Sequence, residues 1–137
     1  MAEKIFQLEI VTPKKTVFKD QVQSFSAPGV VGGFQVLQSH AALLSTIKIG
    51  EVKVLDTAGK EWKYATSGGF VEVRDNKVVM LAETAERADE IDVKRAASSR
   101  ERAEKRISEK KVETSVERAK VALHRALNRL KVARKTS

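Results

Sequence analysis

The stretch EWKYATSGGFVEVRDNKVVML, residues 61–81, decides the fold because it holds three strand patterns separated by two turn signals. The strand patterns are Glu61–Thr66, Phe70–Val73 and Lys77–Leu81, which are short and rich in β-branched and aromatic residues. Ser67-Gly68-Gly69 and Asp75-Asn76 separate them, and these residue types favour tight turns. The stretch therefore predicts antiparallel strands joined by short turns.

Five further strand patterns precede this stretch, each bounded by proline, glycine or polar turn residues. They are Ile5–Val11, Gln21–Ser26, Phe34–Leu37, Leu43–Ile49 and Glu51–Leu55. Many short strands with closely spaced turns are typical of an antiparallel sandwich or flattened barrel. About 85 residues can bury a modest core of this kind.

The composition changes near residues 84–90. All seven glycines lie between Gly29 and Gly69, and all seven aromatic residues precede Val71. The net charge of +8 divides unevenly, with +1 on residues 1–88 and +7 on residues 89–137. We therefore predict a sheet domain over residues 1–86 and a second, basic domain over residues 87–137.

The basic domain predicts two helices, because it is rich in Ala, Glu, Lys and Arg. Acidic residues around Asp92 mark the start of the first helix, where negative charge is favoured. Thr114 and Glu117 match a capping box that would start the second helix. The polar stretch Ser108–Glu113 would connect them. The predicted fold class is thus α+β, an N-terminal antiparallel β-sandwich followed by a C-terminal antiparallel two-helix hairpin.

The predicted seam between the two helices is narrow and mostly alanine. It comprises Val93, Ala96, Ala103 and Ile107 on the first helix, and Val116, Ala119, Leu123, Ala126, Leu130 and Ala133 on the second. Burying alanine contributes little compared with leucine, so such a hairpin is marginal alone. Two interpretations remain open from composition: a movable element and a permanently docked hairpin.

Several kinds of chemistry are excluded or disfavoured. The chain has no cysteine, which excludes disulfides, thiolate metal sites and cysteine nucleophiles. Glycine-rich nucleotide motifs and the paired-histidine zinc motif are absent from the sequence. His40 and His124 fall in different predicted domains, so no metal site is expected. We expect His40 to be buried or to orient a loop. We expect His124 to lie on a helix surface. The chain is therefore predicted not to be an independent enzyme.

Three or four arginines of the predicted hairpin are expected to converge on one groove. Folding the hairpin about residue 111 places Arg95 opposite the segment between Arg125 and Arg129. Arg95 and Arg102 share one helix face, as do Arg125 and Arg129. Guanidinium groups bind phosphate oxygens bidentately, so a polyphosphate would relieve their mutual repulsion. The alternative is a solvated basic face with scattered arginines.

Three other kinds of anionic partner could bind the +7 charge of residues 89–137: nucleic acid, a membrane and an acidic protein surface. Nucleic acid is the main alternative, but residues 89–137 lack aromatic residues for stacking and interleave acids with bases, so no nucleic-acid partner is predicted. No apolar run approaches the ~18–20 residues of a membrane-spanning helix, so no direct membrane insertion is expected. An acidic protein surface fits best. The basic residues that could reach it are Arg118, Lys120, Arg125, Arg129, Lys131, Arg134 and Lys135.

A set of short segments occurs in one characteristic order. They are Val11-Thr12-Pro13, Val17-Phe18, Gly33–His40, Leu43-Leu44, Ile49-Gly50, Ser67–Val73, Ala85–Ala88, Ile91-Asp92 and Arg95-Ala96. In this combination the sequence resembles the epsilon subunit of bacterial and chloroplast rotary ATP synthases over nearly its full length. One departure is Leu37-Gln38-Ser39-His40, where the family usually has Leu-Pro-Gly-His.

The resemblance implies a non-catalytic subunit with a β-sandwich of about ten strands and a helical hairpin. The sandwich would bind the gamma subunit and the ring of membrane c subunits, coupling catalysis to proton flow. The hairpin would switch between a compact and an extended state. When extended, its second helix would meet acidic beta-subunit segments of the alpha/beta catalytic head and block ATP hydrolysis. The implied location is the cytoplasmic face of the bacterial plasma membrane, or the stromal face of the thylakoid, as a peripheral protein.

The resemblance also implies a regulatory ATP site on the compact hairpin. Some family members bind ATP through an Ile/Leu-Asp-x-x-Arg-Ala motif, which Ile91–Ala96 matches in full. The matching positions are Glu86, Ile91, Asp92, Arg95, Ala96, Arg102, Arg125 and Arg129. In that comparison Asp92 and Glu86 orient the adenine end and the arginines hold phosphates. ATP would then be a regulatory ligand, with no cofactor required and no metal held.

Overall fold

The computed structural model describes residues 4–109 and 113–134, and the chain divides into two compact units, Met1–Arg87 and Ala88–Ser137. Within the described residues the first unit contains nine strands, and the second contains a 3₁₀ turn followed by two helices. The strands are β1 (Phe6–Val11), β2 (Thr16–Gly29), β3 (Gly32–Val36), β4 (Leu43–Ile47), β5 (Gly50–Asp56), β6 (Glu61–Thr66), β7 (Gly69–Arg74), β8 (Lys77–Ala82) and β9 (Ala85–Arg87). The helical elements are the 3₁₀ turn Ala88–Glu90, α1 (Val93–Glu109) and α2 (Glu113–Arg134). The predicted α+β class is confirmed.

Strand β2 joins the two layers of the sandwich because it pairs with different strands along its length. Its first half pairs antiparallel with β1, from Phe6 opposite Val22 onward. Its second half pairs with β3 and β5, after an irregularity in register between Val22 and Ser24. The hydrogen-bonded order is β1-β8-β7-β4-β2-β5-β6-β9, with β3 alongside β2. Among the described strands, the pairing between β1 and β8 is parallel.

The core of the sandwich lies between the layers and follows the two-residue period of the strands. In β1, Phe6, Leu8 and Ile10 are buried while the residues between them are half-buried. β7 and β8 repeat the pattern with Val71 and Met80 among their inward residues. Alternate side chains of a strand point to opposite faces, so this alternation fixes which face of each strand is inside.

The turn between β7 and β8 has the conformation that its sequence predicts. Asp75 and Asn76 have positive φ values of 52° and 58°, as a two-residue type I′ hairpin requires. Asn76 also links two other segments: its Nδ2 donates to the Ile5 carbonyl at 3.0 Å, and its Oδ1 accepts from the Ser39 backbone N–H at 2.8 Å. Ser39, which stands where the resembling family usually has glycine, has a φ of 58° and so keeps the left-handed conformation without a glycine.

Gly69 shows why glycine is needed at the end of the β6–β7 connection. Its φ is 149°, and a Cβ atom there would overlap the carbonyl oxygen of Leu81 on the paired strand β8. A side chain at this position would separate β7 from β8, so glycine permits the close approach of the two backbones.

The helical unit has the predicted alanine seam, with corrections. Ala96, Ala103, Ala119 and Ala126 are each no more than 2% exposed, which confirms four of the five predicted alanines, whereas Ala133 is half-buried. Val93 was predicted in the seam but is 52% exposed, because it is the first residue of α1.

The ends of the helices also differ from the sequence prediction. Helix α2 begins at Glu113, one residue before the predicted cap Thr114, and α1 continues through Ser108 and Glu109. Of the predicted connector, only residues 110–112 remain, and they lie outside the described residues.

Candidate functional site

Asp92 directly precedes helix α1 and fixes the backbone of the candidate ATP motif. Its Oδ1 accepts a hydrogen bond from the backbone N–H of Arg95 at 3.0 Å, and its carbonyl accepts from the N–H of Ala96, also at 3.0 Å. This is the geometry of an N-cap, in which a carboxylate satisfies a donor that the first helical turn leaves unpaired. Asp92 therefore has a structural role that explains its position whether or not a ligand binds.

Two other residues of the motif act in packing. Ile91 is 8% exposed and Ala96 is 1% exposed, so both side chains belong to the interior of the fold. The Ile91 backbone N–H donates to the Ala88 carbonyl at 3.4 Å, which closes the 3₁₀ turn ahead of α1. These two apolar residues set where α1 starts, and they offer no polar side-chain group to a nucleotide.

A groove on the helical unit shows which side chains share one flank of the hairpin. It is lined by Arg100 of α1 and by Leu127, Leu130, Lys131 and Arg134 of α2. Both helices contribute residues to this groove. We call the side of the hairpin that bears it the leucine flank.

The four candidate arginines lie on the other flank. Around α1, Arg95 and Arg102 project about 140–160° away from Arg100 at 100° per residue. Around α2, Arg125 and Arg129 project about 120–160° away from Leu127 and Lys131. Helical periodicity thus places both pairs on the side of the hairpin opposite the leucine flank. We call this side the arginine flank.

The side chains on the arginine flank are accessible to different degrees. Arg95, Arg102 and Arg125 are exposed, whereas Arg129 is half-buried. Arg102 Nη2 donates to Ser99 Oγ at 3.1 Å, which holds the guanidinium one turn back along α1. Exposed guanidinium groups at helical spacing can bind several phosphate oxygens of one ligand.

Glu86 belongs to a different compact unit from the other candidate residues. It is in β9 of the sheet unit, half-buried and paired with Ala65 of β6, whereas the other seven residues belong to the helical unit. Strand β9 has only three residues and was not predicted. A role of Glu86 beside the arginines stays a prediction from the resemblance.

The basic residues proposed to meet an acidic partner divide between two sides of α2. At 100° per residue, Arg118, Arg125 and Arg129 project to the arginine flank, and Lys120, Lys131 and Arg134 to the leucine flank. Lys120 Nζ lies 3.4 Å from Glu117 Oε1, an exposed pair that contributes little to stability. A single flat acidic surface therefore cannot contact all six, although a cleft that encloses α2 can. Lys135 lies outside the described residues.

The surroundings of His40 and His124 indicate structural roles. His40 is half-buried, and its Nδ1 lies 2.7 Å from the Ala41 carbonyl oxygen, so the Nδ1–H tautomer donates to a loop carbonyl. His124 is exposed on α2. Among residues 4–109 and 113–134, no three His, Asp or Glu side chains are grouped as metal ligands. Neither α1 nor α2 combines the length and apolar composition of a bilayer-spanning helix.

The sheet unit has two exposed apolar surfaces that the sequence reasoning missed. Phe70 and Leu81 are direct cross-strand partners on β7 and β8, and they are 54% and 56% exposed. Leu44 on the adjacent strand β4 is 73% exposed. Val30 and Val31 are exposed at the β2–β3 turn. The missed signal was strand alternation, since Phe70 and Leu81 are out of phase with the buried Val71 and Met80.

Comparisons with known proteins agree over both units. Residues 5–88 match the family model described as ATP synthase, Delta/Epsilon chain, beta-sandwich domain, and residues 89–134 match the corresponding long alpha-helix domain.

Individual relatives match over most of their length. The ATP synthase epsilon chain of Desulforamulus reducens is 47% identical over 127 residues, covering 93% of this chain and 96% of that one. That of Syntrophobacter fumaroxidans is 48% identical over 137 residues, covering 99% and 100%. A chain from the mitochondrial ATP synthase of Euglena gracilis, solved as OSCP/F1/c-ring, shares the fold with a TM-score of 0.76 at 24% identity, covering 85% of this chain and 74% of that chain. The protein therefore belongs to the ATP synthase delta/epsilon chain family, as an epsilon chain.

Proposed function

We propose that this epsilon chain inhibits ATP hydrolysis through its helical hairpin, and that ATP bound on the arginine flank holds the hairpin closed. The observation that carries the proposal is the pairing of a weak seam with a cationic flank. The fully buried seam positions Ala96, Ala103, Ala119 and Ala126 are all alanine, whereas Leu123 and Leu130 are only half-buried. A seam of this kind contributes little burial energy, so a ligand or a partner can decide between the closed and open states.

The arginine flank supports ATP as the ligand that favours the closed state. Arg95 and Arg102 come from α1 and Arg125 and Arg129 from α2, so one polyphosphate could contact both helices only while they are paired. ATP would stabilise the closed hairpin by its differential affinity for that state and by no more. ATP is in this account a regulatory ligand, and the chain is a non-catalytic subunit.

An open hairpin would present α2 to an acidic partner. Arg118, Arg125, Lys131 and Arg134 are exposed along the helix, on both of its sides. An acidic cleft of the alpha/beta catalytic head would thus attract both sides of α2 at once, which suits electrostatic docking. The six residues proposed for this contact are Arg118, Lys120, Arg125, Arg129, Lys131 and Arg134.

The exposed apolar surfaces of the sheet unit support its attachment to the central stalk. Phe70, Leu81 and Leu44 form a patch on neighbouring strands, and Val31 projects from a turn at 101% exposure. Exposed apolar patches are typical of protein interfaces. We assign these two surfaces to contacts with the gamma subunit and the c-ring. These contacts would place the chain at the periphery of a membrane. In a bacterium, it would lie on the cytoplasmic face of the plasma membrane.

Calorimetric titration of the full chain with ATP tests the regulatory site. Arg95→Ala and Arg129→Ala should each weaken binding about 10-fold or more, because each removes charge-assisted hydrogen bonds to phosphate. Lys105→Ala is the matched control, since Lys105 is an exposed cation of α1 outside either flank's proposed site. The absence of heat at millimolar ATP, or an equal loss in Lys105→Ala, would reject the site.

A further inference from the structure

The leucine flank carries a groove that the ATP site does not use. The groove encloses about 420 Å³ and is lined by Arg100, Leu127, Leu130, Lys131 and Arg134. Leu127 is 41% exposed at the groove, and Leu130, which also lines it, is half-buried. Glu104 Oε1 accepts a hydrogen bond from Arg100 Nε at 2.9 Å, one turn along α1, which orients the guanidinium at the groove.

The lining combines two kinds of surface that suit one class of ligand. Two leucines offer an apolar floor, and three basic side chains, Arg100, Lys131 and Arg134, surround it, with the Arg100 charge partly balanced by Glu104. A free phosphate would gain nothing from the leucines. An apolar side chain next to carboxylates would satisfy both parts, and concave apolar sites with a charged rim are typical of peptide anchors.

A membrane surface fits the same charges less well. The leucines lie within a groove and not on a projecting face, and residues 88–137 contain no Trp, Tyr or Phe to anchor at lipid headgroups. The observations therefore favour a protein segment over an anionic bilayer.

We propose that the groove between α1 and α2 binds an acidic amphipathic protein segment, whose apolar side chain contacts Leu127 and Leu130 while its carboxylates pair with Arg100, Lys131 and Arg134. Since Arg100 comes from α1 and the other residues from α2, the groove exists only while the helices are paired. A segment bound there would favour the closed hairpin, whereas an acidic partner that encloses α2 alone would favour the open one. The two kinds of acidic contact would have opposite effects on the same equilibrium.

The proposal is tested with a fluorescein-labelled amphipathic helical peptide that has leucine on one face and glutamate on the other, titrated with the full chain at low salt. Anisotropy should report saturable binding. Leu127→Ala should weaken it about 10-fold, since it removes most of the exposed apolar floor, and Arg100→Ala or Lys131→Ala should each weaken it several-fold. Lys105→Ala, which removes one charge from α1 away from the groove, should change it little.

Three outcomes would overturn the proposal. Unchanged binding by Leu127→Ala would mean that the peptide contacts only a general basic face. An equal loss in Lys105→Ala would mean the same. Binding to phosphatidylserine vesicles without binding to the peptide would assign the groove to a membrane. Because the two flanks are opposite and both ligands favour paired helices, saturating ATP should leave peptide binding unchanged or strengthen it. Competition between ATP and the peptide would mean that they share one site, whereas peptide binding by a chain that does not bind ATP would support the groove alone.

Discussion

Overpacking the alanine seam should open the hairpin, and Ala126→Leu is the sharpest such change. Ala126 is 1% exposed on α2, at the spacing that matches the buried alanines of α1. Leucine there must displace backbone or neighbouring side chains, at a cost of about 1–3 kcal/mol. Free energies of that size increase the population of opened hairpin about 5- to 160-fold.

Amide hydrogen exchange of the full chain measures this change directly. Amides of α1 and α2 should exchange faster by the same factor, while amides of the buried strands β1 and β8 should keep their rates because they belong to the other compact unit. Ala122→Leu is the matched control, since Ala122 is exposed on the same helix and gains the same side chain. In a reconstituted ATP synthase, Ala126→Leu should also inhibit hydrolysis more strongly than Ala122→Leu.

Either of two results would contradict the idea that weak packing of the seam makes the hairpin movable. Equal exchange rates in Ala126→Leu and the unmodified chain would show that the helices already stand far enough apart to accept leucine. Slower exchange in the variant would show that the seam gains more from leucine than it loses from crowding, so that weak packing is not what makes the hairpin movable.

Three further predictions concern the two units separately. Deleting residues 88–137 should raise ATP hydrolysis by a reconstituted complex without preventing assembly, and unchanged hydrolysis would argue against inhibition by the hairpin. Gly69→Ala should destabilise the sheet unit by more than ~1 kcal/mol in urea unfolding, because its Cβ would overlap the Leu81 carbonyl; Gly33→Ala, whose Cβ would meet only the Ala27 oxygen at 3.8 Å, is the control. Hydrogen bonds from the Trp62 indole and then the Lys60 backbone lower the pKa of the Asp56 carboxyl below its ordinary 3.8. The carboxylate's contribution to stability should thus be complete above about pH 3.8 and disappear as the pH falls further. The free energy of unfolding of Asp56→Asn should therefore be lower than that of the unmodified chain near neutral pH, and the two values should converge in acid.

Much of the sheet unit could be predicted because strands and turns leave local signals. The Asp75-Asn76 turn and the strands on either side of it follow from residue types alone. Strand β9 was not predicted because a three-residue strand has no period. Of β2, only Gln21–Ser26 was predicted, whereas the strand also includes residues 16–20 and continues through Pro28 to Gly29. The parallel pairing of β1 with β8 joins residues about seventy positions apart, a contact that local patterns do not encode.

Local sequence patterns also predicted only part of the packing in the helical unit. Helical spacing identified the four buried alanines, but it missed Val132, which is fully buried, and it placed the exposed Val93 in the seam. Helix α2 also packs against the 3₁₀ turn Ala88–Glu90, so its buried surface is wider than the seam that its contact with α1 requires. Arg100 was not among the residues predicted from the sequence to bind a ligand or a partner. In the structure it lines the groove on the leucine flank.

Whether closing the hairpin relieves inhibition is tested most directly with a reversible lock. The chain has no cysteine, so Ala103→Cys combined with Ala119→Cys adds its only thiols, at buried seam positions of α1 and α2. The isolated double variant is oxidised, the loss of free thiols is verified, and the protein is reconstituted into the ATP synthase. ATP hydrolysis should be higher with the locked chain than with the same chain reduced, and reductant should restore the lower rate. Equal rates for the locked and the reduced chain would contradict the proposal that an opening hairpin inhibits the enzyme.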